Sequence, residues 1–490
     1  MKKIITITLL LFISLTLVGC KDDTPDPIYD DIIFVVLGDN ILSIDLGEEY
    51  IEKGFIAKDG STDISEFVVI ENDVNESYSG TYEVTYILDY NGQVTELTRV
   101  VKIFNSQEYS KVWTSYLHTV VTLKTYIEND VGIDSDTVFY EVENILSFYN
   151  DISDKYKLYD GVSNIKTIND NPTLTHTISE ELFDLIEFSL EHQSEVNNIF
   201  NIALGPVIAV WHDYRENCNL RDICAVPSLD ELEEQNAFTD SSKIIMDREN
   251  LTITMDDNMS IDLGGVSKGY ISGKIIEYLD ALELNGYLLN NGESNISIGG
   301  THPTRDGGDF LVAITDPTYA LPYYATVYLG DGDQFVTSGD YQQNFYVDGE
   351  IYHHIISGIS LFPDRNSKSI SIVATDPGLA DLYSTAIFLM TIEDGIAFVD
   401  SIDGIEAIWY SNDGAAYFSE NFETNHLANL YIEQSEPRST DVVVIVIILV
   451  IVVSVGVTLL LRYSSVARHV DEEDKDEDQV YENVNQEIRK

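Results

Sequence analysis

The stretch DLGGVSKGYISGKI, Asp262–Ile275, decides how this chain is interpreted. One aspartate precedes two glycines, and a lysine then opens a run with apolar residues at helical spacing. Glycine lets a backbone approach a ligand closely, Asp262 can accept a hydrogen bond from a hydroxyl group, and Lys268 can face a phosphate. The stretch therefore indicates a place where phosphates and a metal ion meet. The simpler interpretation is a strand-to-helix turn with a surface lysine.

The composition limits the classes of protein to consider. The chain has 490 residues, of which 44% are hydrophobic, and its formal net charge is −57. This length favours two or three domains. The charge argues against binding to nucleic acid phosphates and fits a protein that faces a salty exterior. We therefore expect a multi-domain protein with no nucleic acid partner.

The N-terminal end predicts export and attachment to a membrane. Two lysines precede an apolar run within residues 1–19, as in a secretion signal. The run ends in LVGC, which resembles the cleavage site of bacterial lipoproteins. We therefore expect a lipoprotein signal peptide over 1–19, a lipidated Cys20 and a polar tether over 20–31. The alternative is an ordinary signal peptide with a chance cysteine.

The C-terminal end predicts a second attachment. Residues 441–461 contain twenty uncharged residues after Asp441, enough for a transmembrane helix across a bilayer of ~30 Å. Arginines follow this run, which favours a cytoplasmic flank. The acidic tail over 462–490 is then expected to be cytoplasmic and disordered. The middle of the chain is predicted to lie on the extracellular face of the cell membrane.

Residues 32–104 predict an all-β module. Every second residue from Tyr82 to Leu88 is apolar, as in a half-buried strand. Asn91 and Gly92 follow as a strong hairpin signal. The size and spacing suggest an immunoglobulin-like sandwich, similar to the Ig-like modules of bacterial surface proteins. Such a module would serve as a spacer or an adhesive unit.

Residues 108–434 predict one mixed α+β domain. Apolar residues recur at helical spacing between Val138 and Tyr149, and Ser179 precedes a second run of this kind. Strand-like runs such as FLVAIT and SISIVAT come later. The fold class is therefore a multi-domain chain with an N-terminal all-β sandwich, an α+β domain and a C-terminal transmembrane helix.

Three later segments of this domain carry candidate functional residues. In FVTSGDYQQNF, small hydroxyl residues around a glycine suit a pocket-lining loop, although they suit an ordinary turn equally well. In IYHHII, one histidine can act near neutral pH, whereas for His353 we expect simple packing. In LADLYSTAIFLM, Asp381 and Thr385 share one face of a helix and can offer oxygens to Mg²⁺. A helix cap with an ordinary threonine is the alternative.

These segments and their neighbours resemble one family in their order and wording. SYLHTVVTLKTY, FNIALGPVIAVWHDYR, DLGGVSKGY, LLNNGESNI, VTSGDY, YHHII and DLYSTAIF follow the order of the FAD:protein FMN transferases, the ApbE-type flavin transferases. The resemblance extends through the whole α+β domain. It implies an enzyme that breaks the pyrophosphate of FAD, its substrate, with Mg²⁺ as cofactor. FMN is joined to a Thr or Ser hydroxyl of an acceptor protein.

The same resemblance implies roles for particular residues. It makes His354 and Asp381 catalytic. It implies that FAD is bound by a set of seven residues, namely Leu117, Phe200, Asn201, Asp262, Lys268, Thr337 and His354. It implies that Mg²⁺ is bound by the Gly265 carbonyl, Asp381, Ser384 and Thr385. Family acceptors resemble subunits of membrane redox pumps and extracellular electron-transfer lipoproteins, so we expect an acceptor of that kind.

The chain departs from the family pattern at several positions. Leu117-His118-Thr119 stands for Met-Gly-Thr, Asn201 for Asp, and Glu293 for the second glycine of a Gly-Gly pair. After the segment HHII the family usually has Asp-Pro, whereas this chain has Ser357-Gly358 and a longer loop. These departures place the flavin pocket and the acceptor side in question.

Cys218 and Cys224 suit a structural disulfide in an exported protein, with two free thiols as the alternative.

Two other functions remain open from the sequence. The first is a non-catalytic flavin-binding surface protein or an FAD pyrophosphatase that only hydrolyses its substrate. The second is a surface adhesin in which the Ig-like module acts and flavin does not bind. Covalent flavin on an acceptor, free FMN with AMP, or no flavin binding would distinguish the three.

Overall fold

The computed structural model describes residues 32–129, 131–305 and 308–435. The chain divides into two compact units between Asn105 and Ser106. Each unit has hydrophobic clusters of its own. We describe the two units separately.

The N-terminal unit is the predicted two-sheet sandwich. One sheet has the order β1-β3-β4, and the other has the order β2-β7-β6-β5, in which β2 and β7 are parallel. Val84, Tyr86 and Leu88 are buried, as the alternation predicted. The strands are β1 (Ile32–Val36), β2 (Ile41–Asp45), β3 (Phe55–Asp59), β4 (Thr62–Asp63), β5 (Val68–Asn72), β6 (Gly80–Tyr90) and β7 (Gln93–Phe104).

The C-terminal unit is built around one large mixed sheet with the order β24-β22-β21-β20-β17-β14-β13-β9-β8. Smaller sheets have the orders β15-β16-β23, β10-β12-β11 and β18-β19. The strands are β8 (Ser106–Trp113), β9 (Val121–Glu128), β10 (His176–Thr177), β11 (Ile245–Asp247), β12 (Thr252–Thr254), β13 (Gly286–Asn291), β14 (Asn295–Gly300), β15 (Phe310–Ile314), β16 (Ala325–Leu329), β17 (Gln334–Gly339), β18 (Asn344–Val347), β19 (Glu350–His353), β20 (Ser369–Ala374), β21 (Glu406–Tyr410), β22 (Ala415–Phe418), β23 (Leu427–Leu430) and β24 (Glu433–Gln434).

Several helices of this unit begin at side-chain caps, whereas α4 and α6 have none. Ser179 caps α3 as predicted, and Asp376 caps α7, whose first turn contains a proline. The helices are α1 (Ser135–Ser153), α2 (Ile165–Asp170), α3 (Glu180–His192), α4 (Gly205–Arg221), α5 (Leu229–Asn236), α6 (Ser267–Asp280), α7 (Pro377–Phe388), α8 (Ile392–Val399) and α9 (Phe422–Asn425).

The large sheet separates two hydrophobic cores because successive side chains of a strand point to opposite faces. On β20, Ile370 and Ile372 join the core that contains the inner faces of α1, α3, α6 and α7, whereas Val373 joins the core beneath β15 and β16. This arrangement holds α6 and α7 together on one face of the sheet. At Gly269 of α6 an added Cβ would lie 2.0 Å from the Pro377 carbonyl oxygen of α7.

The boundary between the units falls earlier than the sequence predicted. Strand β8 begins at Ser106 and pairs along its whole length with β9, so the predicted start at 108 would remove its first residues from the sheet.

We expect residues 106–435, expressed without the Ig-like unit, to fold and to bind FAD as the full chain does. Every candidate cofactor residue lies within this range, and the large sheet is complete in it. Circular dichroism and titration with FAD would check both parts of this expectation. A folded protein that fails to bind FAD would contradict it, and the full chain is the control.

The predicted fold class is corrected at its C-terminal end. It included a transmembrane helix, but in the part of the chain that the structure describes no helix is long and apolar enough to cross a membrane. Residues 441–461 lie outside the described ranges, and so do the signal peptide, Cys20, the tether and the acidic tail.

Candidate functional site

Three cavities of the C-terminal unit adjoin one another around Asp262. The main cleft has a volume of about 300 Å³ and is lined by Asp262 and Lys268 among other residues. An inner chamber of about 90 Å³ shares Asp262 with the cleft and reaches Thr385. A third cavity of about 80 Å³, which we call the basic chamber, shares Lys155 with the cleft. The main cleft is therefore large enough for part of a cofactor, and the two chambers extend from it.

The stretch that begins at Asp262 forms the turn between these cavities. Asp262 Oδ1 accepts a hydrogen bond of 2.8 Å from the Gly264 N–H, and α6 starts a few residues later. Gly265 lies against protein rather than open space, because an added Cβ would lie 2.9 Å from Phe200 and 3.1 Å from Thr385. The close backbone approach predicted here therefore exists, and it brings the Gly265 carbonyl near α7.

Asp262 forms an ion pair that the sequence did not predict. The Lys155 ammonium donates to Asp262 Oδ2, and the Asp262 side chain is 8% exposed. Burial alone would raise the pKa of Asp262, but the Lys155 charge and the Gly264 N–H outweigh it and lower that pKa. Asp262 is therefore an ionised carboxylate held in place at the floor of the cleft. No spacing rule links two residues so far apart in sequence, which is why sequence analysis missed Lys155.

Lys268 lies in the first turn of α6 and lines the main cleft. Its ammonium donates to Ser294 Oγ at 2.6 Å, and its backbone carbonyl accepts from Asn291 Nδ2 at 3.2 Å. Asn291 Oδ1 is buried and has no recorded partner. The described part of the chain records no carboxylate paired with Lys268, so its positive charge is available to a ligand.

Oxygen atoms of the turn and of α7 lie near one another where these two segments face each other. Thr385 Oγ1 lies 3.4 Å from the Gly265 carbonyl oxygen and 3.0 Å from the Asp381 carbonyl oxygen. The Asp381 carboxylate is almost fully buried, and its Oδ2 accepts from the Gly269 N–H at 2.8 Å. A carboxylate, a hydroxyl and a backbone carbonyl are the hard oxygen donors that Mg²⁺ takes. These residues fit the ion that the resemblance implies.

Ser384, predicted as a metal ligand, has hydrogen-bond partners within the protein, and its role toward the ion stays a prediction. Its hydroxyl lies 2.9 Å from Ser338 Oγ and donates to the Asp381 carbonyl oxygen at 3.0 Å, and its side chain is fully buried. Ser384 therefore joins α7 to β17. Within the described ranges no group of three or more His, Cys, Asp or Glu residues could hold a metal, so a site here would combine fewer such residues with neutral oxygen donors.

The two adjacent histidines have different surroundings. His353 is packed, as predicted: it is 2% exposed, its Nε2 bonds the Asp364 carbonyl oxygen at 2.8 Å, and burial lowers its pKa to about 4. His354 lines both chambers, and its Nδ1 is buried without a recorded partner. Burial and nearby positive charges lower the pKa of His354 to about 3, so its imidazole is neutral at pH 7.

The remaining predicted cofactor residues divide into two groups. Leu117 lines the main cleft, and Phe200 and Asn201 line the inner chamber. Asn201 uses its side chain on the protein itself, since it accepts from the Ala203 N–H at 2.8 Å and donates to the Thr239 carbonyl oxygen at 2.9 Å. Thr337 is not among the residues that line these three cavities, and its hydroxyl lies 2.8 Å from Ser371 Oγ. No contact in these cavities supports placing Thr337 at the flavin site, and that assignment stays a prediction.

Two departures from the family pattern lie at positions whose backbone conformation favours glycine. His118 and Glu293 have φ angles of 54° and 61°, in the left-handed region that favours glycine. The loop after His354 is also ordered by its own residues: Ser357 Oγ accepts from two following N–H groups, and Gly358 donates to the Ile199 carbonyl oxygen at 3.0 Å. The backbone at these departures is therefore defined by local hydrogen bonds and by left-handed residues.

The structure has a disulfide between Cys218 and Cys224. It connects the last turn of α4 to the segment that follows. Trp211 lies earlier on the same helix, where its Nε1 donates to the Leu361 carbonyl oxygen at 2.9 Å. The Trp211 hydrogen bond holds α4 against the loop beside the chambers, and the disulfide closes the end of the helix.

Comparison with known proteins gives a consistent result for both units. A family model described as the ApbE family matches residues 117–409, and one described as a bacterial surface protein, Ig-like domain, matches residues 34–103. The chain is 27% identical to an FAD:protein FMN transferase of Klebsiella pneumoniae over 242 residues, which are 48% of this chain and 70% of that protein. It is 28% identical to an FAD:protein FMN transferase of Treponema pallidum over 245 residues, or 47% of this chain and 66% of that protein.

Solved structures resemble the C-terminal unit. The ApbE protein of Thermotoga maritima has a TM-score of 0.56 and 25% sequence identity, and the match covers 65% of this chain and 98% of that one. The apo form of the Pseudomonas stutzeri flavinyl transferase ApbE has a TM-score of 0.55 and 21% identity, over 65% of this chain and 97% of that one. The second likeness concerns the fold alone.

Proposed function

The chain belongs to the ApbE family, and from this membership we propose that it is an FAD:protein FMN transferase. In the proposed reaction a Thr or Ser hydroxyl oxygen of an acceptor protein forms a bond to the FMN phosphorus of FAD. The pyrophosphate bond to the AMP phosphate breaks, and AMP leaves with the bridging oxygen and its electron pair. The hydroxyl proton is released, so atoms and charges balance.

One observation carries this proposal: the turn at Asp262 and the helix α7, far apart in sequence, meet beside the main cleft. The Gly265 carbonyl oxygen and Thr385 Oγ1 are 3.4 Å apart, and Asp381 lies one helical turn before Thr385. Lys268 adds a positive charge on the cleft side. Phosphoryl transfer requires mainly positioning and charge stabilisation from the protein, and these residues supply both.

Magnesium is the group for which these oxygens are suited. Asp381, Thr385 and the Gly265 carbonyl would hold it, and the bound ion would neutralise charge on the pyrophosphate oxygens. The chain's own contribution is to keep those oxygens in place. The Gly269 N–H orients the Asp381 carboxylate, and the packing of Phe200 against Gly265 limits movement of the turn.

His354 is suited to orienting the substrate rather than to strong base catalysis. A neutral imidazole can accept a hydrogen bond at the unpartnered Nδ1. With a pKa lowered to about 3, it holds a proton weakly, and an efficient general base has a pKa near the working pH. A bound pyrophosphate would raise that pKa by its negative charge. We therefore propose that His354 acts only when the substrate is in place.

The proposal is tested by incubating the full chain with FAD, Mg²⁺ and an acceptor protein that carries a flavinylation threonine. We expect covalent flavin fluorescence on the acceptor in a denaturing gel, one AMP released for each label, and no label on the Thr→Ala acceptor. Free FMN with AMP and no labelled acceptor would favour the pyrophosphatase. Absence of FAD binding would favour the adhesin.

The place of the reaction is a proposal that rests on the sequence. The signal-like residues 1–19 and the cysteine that follows support export and lipid attachment. We propose that flavin transfer takes place on the outer face of the cell membrane. The acceptor would then be a protein of a membrane redox or extracellular electron-transfer system.

A further inference from the structure

The basic chamber has an unusual lining for so acidic a chain. Its polar lining includes Lys155, His212, Arg215 and His354, and among its described lining residues none is Asp or Glu. The whole chain has 84 Asp and Glu residues against 27 Lys and Arg residues. A cavity that gathers cations and no carboxylates in such a chain has the electrostatic character of an anion site.

Arg215 supplies the charge of this chamber that remains unbalanced. The Lys155 charge is paired with Asp262, whereas the described residues record no ion pair for Arg215. Its one recorded hydrogen bond runs from Nη2 to His212 Nδ1 at 3.0 Å. A guanidinium has five N–H donors, so most of those of Arg215 remain available for a ligand.

His212 orients Arg215 without adding charge. Because a guanidinium can only donate, His212 Nδ1 must accept, and the imidazole is therefore neutral in this contact. Burial and the Arg215 charge also lower the pKa of His212. The pair thus carries one positive charge in a fixed position.

Helix α4 holds the pair rigidly beside the cleft. Ile208, Trp211, His212 and Arg215 line or approach the chamber from one side of the helix, at the spacing of successive turns. The Trp211 ring packs 5.8 Å from Tyr352 and 5.4 Å from Phe362, in addition to its hydrogen bond with Leu361. A helix anchored in this way presents Arg215 with little entropy left to lose on binding.

The size of the chamber limits what can enter it. At about 80 Å³ it is far smaller than the main cleft of about 300 Å³. It holds a compact group of a few atoms, since a water molecule takes ~30 Å³ of liquid volume, and it excludes a flavin or purine ring. It shares Lys155 with the main cleft and His354 with the inner chamber, so it adjoins both parts of the proposed FAD site.

We infer that the basic chamber receives a phosphate group of the dinucleotide and that Arg215 binds this phosphate, with His212 as its positioning residue. This inference rests on the proposed function and adds a binding residue to it. Arginine matches phosphate geometry with two parallel N–H donors, so the contact fixes the direction of the pyrophosphate as well as its charge.

The test compares three variants of the full chain: Arg215→Gln, Arg215→Lys and the control Arg221→Gln. Arg221 lies on the same helix, is exposed, and bonds only Asn217 in the recorded contacts. We expect Arg215→Gln to weaken FAD binding by about 10-fold or more and to raise KM for FAD more than it lowers kcat. Binding of riboflavin, which has no phosphate, should not change. Arg215→Lys should restore only part of the affinity, because it keeps the positive charge but lacks the two parallel N–H donors of a guanidinium.

Each other outcome decides against the inference or against the function. If Arg215→Gln binds FAD as tightly as Arg221→Gln while both transfer FMN, the chamber does not bind phosphate and the transferase function stands. If the loss appears only in KM for the acceptor protein, the chamber binds an acceptor carboxylate and the inference is wrong. If the unmodified protein binds no FAD, the proposed function itself fails. Equal thermal midpoints of the variants would exclude a folding effect.

Discussion

Asp381→Asn is expected to lower FMN transfer by about 100-fold or more, because charge stabilisation is the main protein contribution to phosphoryl transfer. The asparagine keeps an oxygen that can accept from the Gly269 N–H, now bonded at 2.8 Å, and it keeps the side-chain volume. It removes the one carboxylate offered to the ion. FAD binding through Asp262, Lys268 and the cleft walls should therefore persist while transfer is lost.

The measurements are in-gel flavin fluorescence of the acceptor and, in parallel, titration of the protein with FAD. A readout that does not depend on activity is the thermal midpoint with and without Mg²⁺, which should rise for the unmodified protein and stay constant for Asp381→Asn. Thr385→Ala should lose transfer less severely. Asp376→Asn is the matched control, because Asp376 is an exposed cap of the same helix. Full transfer by Asp381→Asn at low Mg²⁺ would overturn the metal assignment.

Asp381→Ala differs from this variant in a way that the structure predicts. It removes the charge and also leaves the Gly269 N–H buried without a partner, at a cost of about 1–3 kcal/mol in the free energy of unfolding. Its lost activity would therefore mix two effects. The asparagine variant separates the charge from the hydrogen bond.

Lys155→Met is the second variant with a large expected effect. It leaves the Asp262 carboxylate buried without its partner, and breaking a buried ion pair in this way costs about 3–5 kcal/mol of unfolding free energy. FAD binding should fall as well, because the floor of the cleft loses its fixed geometry. Chemical denaturation and FAD titration would measure the two effects. Lys157→Met is the control, since Lys157 is exposed and lies near the Tyr159 ring.

The ion pair also predicts a dependence of stability on pH. The pKa of Asp262 is lowered in the folded state, so its ionised form stabilises the fold above the pKa of an unfolded aspartate, ~3.9. This stabilisation is lost as the pH falls through the lowered pKa. The stability difference between the unmodified protein and Lys155→Met should thus be largest near neutral pH and shrink in acid. A difference that grew in acid would contradict the pairing, and Lys155→Met with Asp262→Asn should recover part of the loss.

The sequence predicted those parts of the site that lie close together along the chain. Asp262 and Lys268 share one turn and helix start, and Asp381 and Thr385 share one helical face, so spacing alone brings each pair together. Ser384 and Thr337 were assigned through the family resemblance alone. Each hydroxyl contacts a serine of a neighbouring strand, Ser338 for Ser384 and Ser371 for Thr337.

Contacts between distant segments could not be read from the sequence. Lys155 and Asp262 are 107 positions apart, and Arg215 reaches the chamber only because α4 packs beside the loop after His354. Their roles depend on the packing of the unit as a whole. The left-handed backbone at His118 and Glu293 could not be predicted from these residue types either, because glycine is the residue that usually indicates such a conformation.

The contact of α6 with α7 at Gly269 bears on how this site can change by mutation. Any side chain there would strike the Pro377 carbonyl oxygen at 2.0 Å and the Asp381 Cβ at 2.6 Å, so every replacement would separate the helix of the phosphate-facing lysine from the helix of the acidic ligand. Position 269 is thus not free to change in related proteins. Variation among related chains is expected instead at residues that line the open cleft, such as Leu117.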